Sequence, residues 1–192
     1  IRVAMGSVSG VGIAACVAAT TSRHTLRGVC GANADDDSRA AVDTIRNILG
    51  STLHPGSALS LLLARLNDNG KVSMGAMGGT GVFHYKAATE EVEILRPPGR
   101  RDEEAARPEA LEASLKADDR LFLTSDGAGA LRDKGGEPFG AERLATLIGE
   151  TAKGGIPTKE LLATLITEYV DFSAGAPERD VTLIVLSKAA AE

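Results

Sequence analysis

The sequence predicts an α+β fold in which strands pack as a sandwich. One observation supports this class, and a second bears on the number of domains. Predicted strands and helices come in groups along the chain rather than in strict alternation, which favours a sandwich over a doubly wound sheet. The chain has 192 residues, 43% of them hydrophobic and 24% charged, which is enough for one globular domain with a buried core. We therefore expect residues 1–192 to form a single domain.

Composition argues against several classes of function. The net charge is −5 with both signs mixed along the chain, and aromatic residues make up 3% with no Trp, so neither a basic surface nor base-stacking platforms are expected for nucleic acid. No apolar run approaches the roughly 18 residues of a membrane span. Two cysteines, Cys16 and Cys30, give no disulfide framework, which predicts a cytoplasmic protein. Because the chain begins at Ile1 without Met or a signal peptide, we expect an element to precede it.

The first third of the chain predicts a strand followed by two helices. Residues Ile1–Met5 are an apolar strand, and a glycine-spaced turn after it presents Ser7. Ile13–Ser22 then predicts a small-residue helix, in which Cys16 is expected to be inert core. The segment Asp35–Ile48 predicts a second helix, because its acidic start offsets the helix dipole and its apolar residues recur at helical spacing.

The middle of the chain predicts one more helix and then strands. Residues 54–68 (HPGSALSLLLARLND) suggest a helix that ends in a turn at Asn67–Gly70. Residues 71–85 and 90–95 predict strands joined by a turn at Lys86–Thr89. The proline-containing segment Arg96–Ala110 predicts a surface loop. The glycines of GAMGGTG, within the first of these strand regions, indicate close strand packing or a bulge.

The last third predicts a strand, two helices and a closing strand. Leu121–Leu123 form the clearest strand and run into a polar turn. Ala141–Glu150 and Thr158–Phe172 predict helices, and Thr158 is a candidate N-cap. The final segment DVTLIVLSK is rich in β-branched residues, as expected for a buried strand.

Carboxylates stand at the ends of two of these strands. Asp126 follows one strand in FLTSDG, and Asp180 precedes another in ERDVTLIVL. Carboxylates that converge at strand ends are suited to Mg²⁺ or Mn²⁺, which prefer oxygen ligands, and a metal pair can activate water for phosphate hydrolysis. Each motif alone is weak, since an Asp-Gly after a strand is usually a turn.

Three segments together carry a family resemblance. AMGSVSGVGIAA, DRLFLTSDGAGALRDKGGEPFGAERLATLI and RDVTLIVL occur in this order. They resemble the PPM-type metal-dependent protein serine/threonine phosphatases, in particular the bacterial SpoIIE-like branch. The resemblance implies a two-sheet β-sandwich flanked by antiparallel helix pairs, with two Mn²⁺ or Mg²⁺ ions at one end. Its bacterial members dephosphorylate a serine of STAS-type anti-sigma-factor antagonists. The family's earlier Gly-Asp segment, which lies before the first turn, is absent from this sequence, so the domain is expected to lack its N-terminal strands.

The metal ligands implied by the resemblance are only partly retained. The family's Asp-Val-Ser-Gly-His-Gly turn reads SVSGVG here, so Ser7 replaces the bridging carboxylate and Val11 the histidine. Asp126 is retained in the second motif. In the third, Arg179 stands at the ligand position and is followed by Asp180.

These replacements predict that the metal centre is lost or reduced to one weak site at Asp126 and Asp180. A neutral hydroxyl is a poor ligand for a hard cation, and an arginine repels one. Arg179 is expected either to pair with Asp126, taking the place of the metals, or to be one more surface charge.

Two functions follow. The first is a degenerate phosphatase domain that acts as a regulatory module in bacterial stress signalling. Its partner would be a STAS-domain or anti-sigma-type protein, with a homodimer left open. The alternative is an active Mn²⁺- or Mg²⁺-dependent serine phosphatase that uses Asp126, Asp180 and carboxylates not yet placed. Ser7 and Ser9 have no nearby histidine, and the histidines at 24, 54 and 84 form no ligand pair, so neither set predicts a site.

Overall fold

The computed structural model describes residues 1–10, 12–32, 37–50, 58–99, 106–173 and 179–188. Its strands are β1 (Arg2–Val8), β2 (Leu59–Leu66), β3 (Lys71–Met77), β4 (Gly81–Lys86), β5 (Glu91–Arg96), β6 (Glu109–Ser114), β7 (Arg120–Thr124) and β8 (Leu183–Ser187). Its α-helices are α1 (Gly12–Ala32), α2 (Ser38–Gly50), α3 (Gly127–Ala130), α4 (Gly140–Ala152) and α5 (Thr158–Phe172).

The chain divides into two compact units, each with its own sheet. The first comprises Ile1–Gly78 and Arg101–Glu112, and the second Gly79–Arg100 and Ala113–Glu192. One four-stranded sheet has the order β1-β2-β3-β6 and the other the order β5-β4-β7-β8. The predicted α+β class, with two antiparallel sheets and helices, is confirmed, while the single-domain assignment stays a prediction.

The first unit is built on the apolar stripe of α2. Val42, Ile45 and Leu49 are fully buried and belong to one apolar cluster with residues of β2 and β3. The helix begins at Ser38, three residues after the start predicted at Asp35, and the carboxylate of Asp37 just before it accepts a hydrogen bond from the Arg39 amide at 2.9 Å. The other two acidic residues of the predicted start lie outside the described residues.

The second unit has the larger aromatic core. All three strand pairs of its sheet are antiparallel. Phe83 of β4 and Phe122 of β7 are fully buried and cluster with apolar residues of α4 and α5. The predicted bounds of α5 are those observed, and α4 is longer by one residue at its start and two at its end.

The helix predicted over residues 54–68 is wrong. Residues Leu59–Leu66 form β2, which pairs with β1 on one side and β3 on the other. Its central residues are buried on both faces, so the apolar run carries no alternation that would separate a strand from a buried helix. The turn predicted at Asn67–Gly70 is present as a hairpin turn, in which the Gly70 amide donates to the Asn67 carbonyl. Residues 51–57 lie outside the description.

Three other predictions need correction. Cys16 is exposed, because the first turns of α1 are mostly exposed rather than packed in a core. Pro157 occupies the N-cap position of α5 without a side-chain cap bond, so Thr158 does not cap the helix. β6 begins at Glu109, inside the segment predicted as loop, and its alternating exposure is typical of a strand with one covered face.

A buried histidine–aspartate pair fixes one end of the second sheet. His84 and Asp119 are both buried, with His84 Nε2 3.4 Å from Asp119 Oδ2. Asp119 also accepts backbone hydrogen bonds from Ala87 and Lys116, each at 2.9 Å. Burial raises the pKa of Asp119, but these hydrogen bonds and His84 outweigh it, so the net pKa is below the ordinary value.

We predict that Asp119→Asn lowers the free energy of unfolding by about 1–3 kcal/mol at pH 7. The two carboxylate oxygens of Asp119 each accept from one backbone amide, whereas an asparagine side chain has only one acceptor oxygen. The measurement is urea unfolding. Since the pKa of Asp119 is lowered on folding, its contribution is complete above the unfolded pKa of about 4 and is lost as pH falls through the folded value.

Asp118→Asn is the matched control. Asp118 is exposed, and asparagine tolerates its positive φ of 64°. It should leave stability at pH 7 unchanged, and an equal loss in both variants would contradict the role given to Asp119.

Candidate functional site

Asp126 stands in a tight turn between β7 and α3. It occupies the N-cap position of α3, yet its carboxylate makes no cap hydrogen bond. The turn packs so closely on Gly79 that a Cβ on that residue would lie 2.5 Å from the Asp126 Cβ. Glycine at this point of GAMGGTG is therefore a steric requirement, and the close packing predicted for the segment is confirmed here.

The carboxylate of Asp126 is engaged by Arg179. A guanidinium nitrogen of Arg179 donates to Asp126 Oδ2 at 2.8 Å. The Asp126 side chain is 18% exposed and that of Arg179 is 35% exposed, so the pair is partly shielded from water. The contact predicted between these two residues is present, and Arg179 is not simply a solvated surface charge.

Ser125 positions the segment that carries Arg179. Its hydroxyl donates to the Asp180 carbonyl at 3.3 Å and accepts from the Thr182 amide at 3.0 Å. Its own amide donates to the Thr182 carbonyl at 3.0 Å. These three bonds hold the chain just after Arg179 against the Asp126 turn. The sequence did not identify Ser125 as a functional residue. The one feature that could have indicated it is its position between the predicted strand and Asp126.

Asp180 is placed differently from the weak metal ligand that the sequence suggested. The residue is exposed, and its backbone carbonyl accepts from Ser125. The same carbonyl lies where a Cβ on Gly127 would approach within 2.3 Å, so the backbone here is tightly packed. The observed contribution of Asp180 is thus made by its main chain, and its ligand role stays a prediction.

Tyr169 of α5 supports the turn from the other side. Its hydroxyl donates to the carbonyls of Ala128 and, at 3.4 Å, Gly127. Its ring packs on Phe139 with centroids 4.8 Å apart. Burial raises the pKa of Tyr169 well above its ordinary value, so the hydroxyl stays protonated and remains a donor. A tyrosine on a helical apolar stripe gave no sequence signal for this contact.

Ser7 belongs to the first unit and lies inside a strand. β1 extends to Val8, beyond the strand end predicted at Met5, and Ser7 pairs with Ser60 of β2. Ser9 follows the strand, and its hydroxyl accepts from the Ala58 amide at 2.6 Å. Ser7 is therefore part of a ladder rather than displayed by a turn, and Val11 lies outside the described residues.

The other candidate groups have structural contacts. His24 bonds the Thr20 carbonyl of its own helix, His84 pairs with Asp119, and His54 is not described. Within the described ranges, no three His, Cys, Asp or Glu residues are grouped closely enough to hold a metal ion. None of the helices in those ranges has the length and apolar character needed to span a membrane.

The fold is that of PP2C-type phosphatases. The chain superposes on the SiaA PP2C domain of Pseudomonas aeruginosa with a TM-score of 0.80 at 16% identity, covering 97% of this chain and 74% of that one. The RsbU and RsbW domains of Rv1364c from Mycobacterium tuberculosis give 0.76 at 19% identity, covering 98% and 51%. The catalytic domain of the phosphatase PstP, in complex with two manganese ions, gives 0.61 at 16%, covering 96% and 86%.

Within that class the sequence identifies the family. Residues 1–188 match the family described as stage II sporulation protein E (SpoIIE), and the chain belongs to it. There is no significant match among curated proteins. The resemblance seen in the three sequence segments is confirmed at the level of family and fold.

The residues at the metal positions do not fit a metal pair. The retained carboxylate, Asp126, is bonded to a guanidinium, and Arg179 puts a fixed positive charge where a ligand would be needed. Ser7 offers a neutral hydroxyl, a weak donor for a hard cation unless other anions supply charge. Within the second unit, the charge of Asp126 is balanced by Arg179.

We predict a favourable coupling of about 1 kcal/mol between Asp126 and Arg179, measured by urea unfolding of Asp126→Ala, Arg179→Ala and the double variant. The value is modest because Arg179 keeps a solvent-facing side.

The control cycle uses Lys86 and Glu93, whose charged atoms are also 2.8 Å apart but whose side chains are 43% and 49% exposed. Their coupling should be smaller, because water screens them more fully. Equal coupling in the two cycles would show that the Asp126 pair gains nothing from its partial burial.

Proposed function

We propose that this chain is a degenerate SpoIIE-family phosphatase domain that works as a protein-binding regulatory module in bacterial signalling. The observation that carries the proposal is the ion pair between Arg179 and Asp126. The one carboxylate retained from the family's ligand set is used internally. The module then acts by binding its partner, without metal-dependent turnover.

The chemistry of arginine supports this reading. The guanidinium is a positively charged donor with no lone pair to offer a metal, so it can bond the carboxylate but cannot serve as a ligand. A divalent cation at Asp126 would have to displace that contact and then lie beside the displaced charge. At 2.8 Å the pair also has the length of a charge-assisted hydrogen bond, which is stronger than a neutral one.

The partner proposed is a cytoplasmic STAS-domain or anti-sigma-type regulatory protein. The support is the family assignment together with the Mycobacterium tuberculosis chain, in which an RsbU domain and an RsbW domain occur in one polypeptide. A domain that keeps the fold but not the ligands can still present the surface on which such a partner docks.

The test titrates a purified STAS-domain protein, in its serine-phosphorylated and unmodified forms, into this chain by calorimetry with millimolar Mn²⁺ present. The same mixtures are assayed for phosphate release. We expect saturable binding of at least one form and no release above the rate of a phosphorylated protein incubated alone. Mn²⁺-dependent release with turnover would establish the alternative, an active phosphatase, and absence of binding by both forms would remove the proposed partner.

A gain-of-ligand variant tests the alignment behind the proposal. In Ser7→Asp, Arg179→Asp, both replaced positions regain carboxylates and Asp126 loses its cation, so we expect Mn²⁺ binding at least tenfold tighter than in the parent chain. Isothermal titration with MnCl₂ measures the affinity, and circular dichroism checks that the variant is folded.

The matched control is Ser9→Asp, Arg179→Asp. It has the same net charge and places the new carboxylate two residues away, on the serine that bonds Ala58. It should bind Mn²⁺ more weakly than the Ser7 variant. Equal affinities would mean that added negative charge alone explains the gain, and the assignment of Ser7 to the ligand position would fail.

A further inference from the structure

Strand β8 forms one edge of the sheet in the second unit. The sheet order is β5-β4-β7-β8, so β8 pairs with β7 on one side and with no strand of the described chain on the other. The pairing with β7 is antiparallel and continues without a register shift from Leu183 to Ser187. An unpaired strand edge presents a row of backbone N–H and C=O groups, to which another strand can bond.

The two edges of this sheet differ in how they are protected. β5, at the opposite edge, carries the exposed residues Glu91 and Glu93, and its pairing with β4 shifts register between Val82 and Phe83. β8 has the sequence LIVLS, with no charged residue and no proline. Charges and bulges are the usual features that keep an edge strand from pairing. The β5 edge has both of them, and the β8 edge has neither.

The hydrogen bonds to β7 show which backbone groups of β8 point outward. The carbonyl of Thr182 accepts from the Ser125 amide at 3.0 Å. The carbonyl of Lys188, at the other end of β8, accepts from the Asp118 amide at 3.4 Å. Because the N–H and C=O of one residue point to the same side and alternate along an antiparallel strand, the even-numbered residues bond β7. The residues that direct their N–H and C=O to the open edge are therefore Leu183, Val185 and Ser187.

Two opposite charges flank the apolar stretch symmetrically. Asp180 precedes Ile184 by four residues, and Lys188 follows it by four. Asp180 is exposed, and its carbonyl accepts from the Ser125 side chain, so it points to the β7 side as that of Thr182 does. The alternation of the strand thus continues to Asp180, and the side chains of residues 180, 184 and 188 share one face.

We propose that β8 pairs antiparallel with β8 of a second copy of this chain, with Ile184 opposite Ile184 at a two-fold axis. In this register Leu183 of each copy exchanges backbone hydrogen bonds with Val185 of the other. Asp180 of each copy then lies opposite Lys188 of the other. Residues so placed form a non-hydrogen-bonded pair with Cα atoms about 4.5 Å apart, and opposite charges in such a pair are stabilising. The symmetry gives two of these ion pairs per dimer.

The position of the charges favours a second copy over an unrelated strand. A foreign strand needs only an open apolar edge, whereas a strand that pairs with itself needs opposite charges placed symmetrically about its centre. The next register that uses the same outward groups has Val185 opposite itself, and it would place Lys188 opposite Thr182 instead of Asp180. The charges therefore select one register. The proposal does not rest on the function proposed above, because neither member of the ion pair at the candidate site takes part in it.

Sedimentation equilibrium of the chain, from micromolar to millimolar concentration, measures the association. We expect a monomer–dimer equilibrium that weakens at high salt, because the ion pairs are close to water. Asp180→Lys and Lys188→Asp each place like charges opposite one another twice per dimer, so each should raise the dissociation constant about tenfold or more. The double variant restores opposite charges, and its dissociation constant should return to within about threefold of the parent value.

Two controls separate this edge from other surfaces. Asp171→Lys makes the same change of charge at an exposed position of α5 and should leave the association unchanged. Ser187→Pro removes an outward N–H and places a ring at the edge, so it should raise the dissociation constant about tenfold or more, whereas Ser187→Ala should match the parent. Thermal melts followed by circular dichroism show whether each variant is folded.

Three results would overturn the proposal. A chain that stays monomeric at all concentrations does not pair through β8. Equal weakening by Asp180→Lys and Asp171→Lys would assign the effect to net charge. A dimer that the double charge exchange does not restore, or that folded Ser187→Pro forms as well as the parent, is held together by another surface.

Discussion

The contact between Arg179 and Asp126 is the interaction on which the interpretation of the candidate site depends. A partly buried carboxylate costs free energy unless a positive charge or hydrogen-bond donors compensate it. The guanidinium supplies the charge, and the Ser125 hydroxyl fixes the chain that bears it. The turn that carries the retained aspartate is thereby held to the segment that precedes β8.

A loss of ligands does not by itself remove a function from such a fold. In a hydrolase the ions and the partner surface do different work, since ions stabilise the charges of the reaction while the surface decides which protein approaches. Under the proposed function, the arginine at a ligand position removes the first and leaves the second. Regulation by binding alone is therefore a consistent outcome for a SpoIIE-family chain in which Arg179 holds Asp126.

Elements whose structure follows from a local sequence pattern were predicted correctly. Elements whose burial depends on packing against other parts of the fold were misassigned. The bounds of α5 were predicted to the residue, because Leu161 and Leu165 recur at helical spacing and belong to the buried core. β2 was taken for a helix, since a central strand covered on both faces has no alternation to read. Cys16 looked like core in a helix of small residues, yet which face of α1 is covered depends on packing that composition does not encode.

The four residues of the TSDG turn show the same limit at the site. Asp126 was identified because a carboxylate at the end of a strand can bind a divalent metal ion. Its actual partner, the guanidinium of Arg179, was identified only because the family pattern aligns Arg179 with a second ligand position. Ser125 and Thr124 are small hydroxyl residues of kinds found in countless turns. Yet Thr124 ends β7 as a buried residue, whereas the Ser125 hydroxyl bonds the segment that follows Arg179. This difference depends on the neighbouring segment that reaches each residue, which the residue types do not encode. One short turn therefore carries both the aspartate of the ion pair and the side chain that holds the segment of its arginine partner.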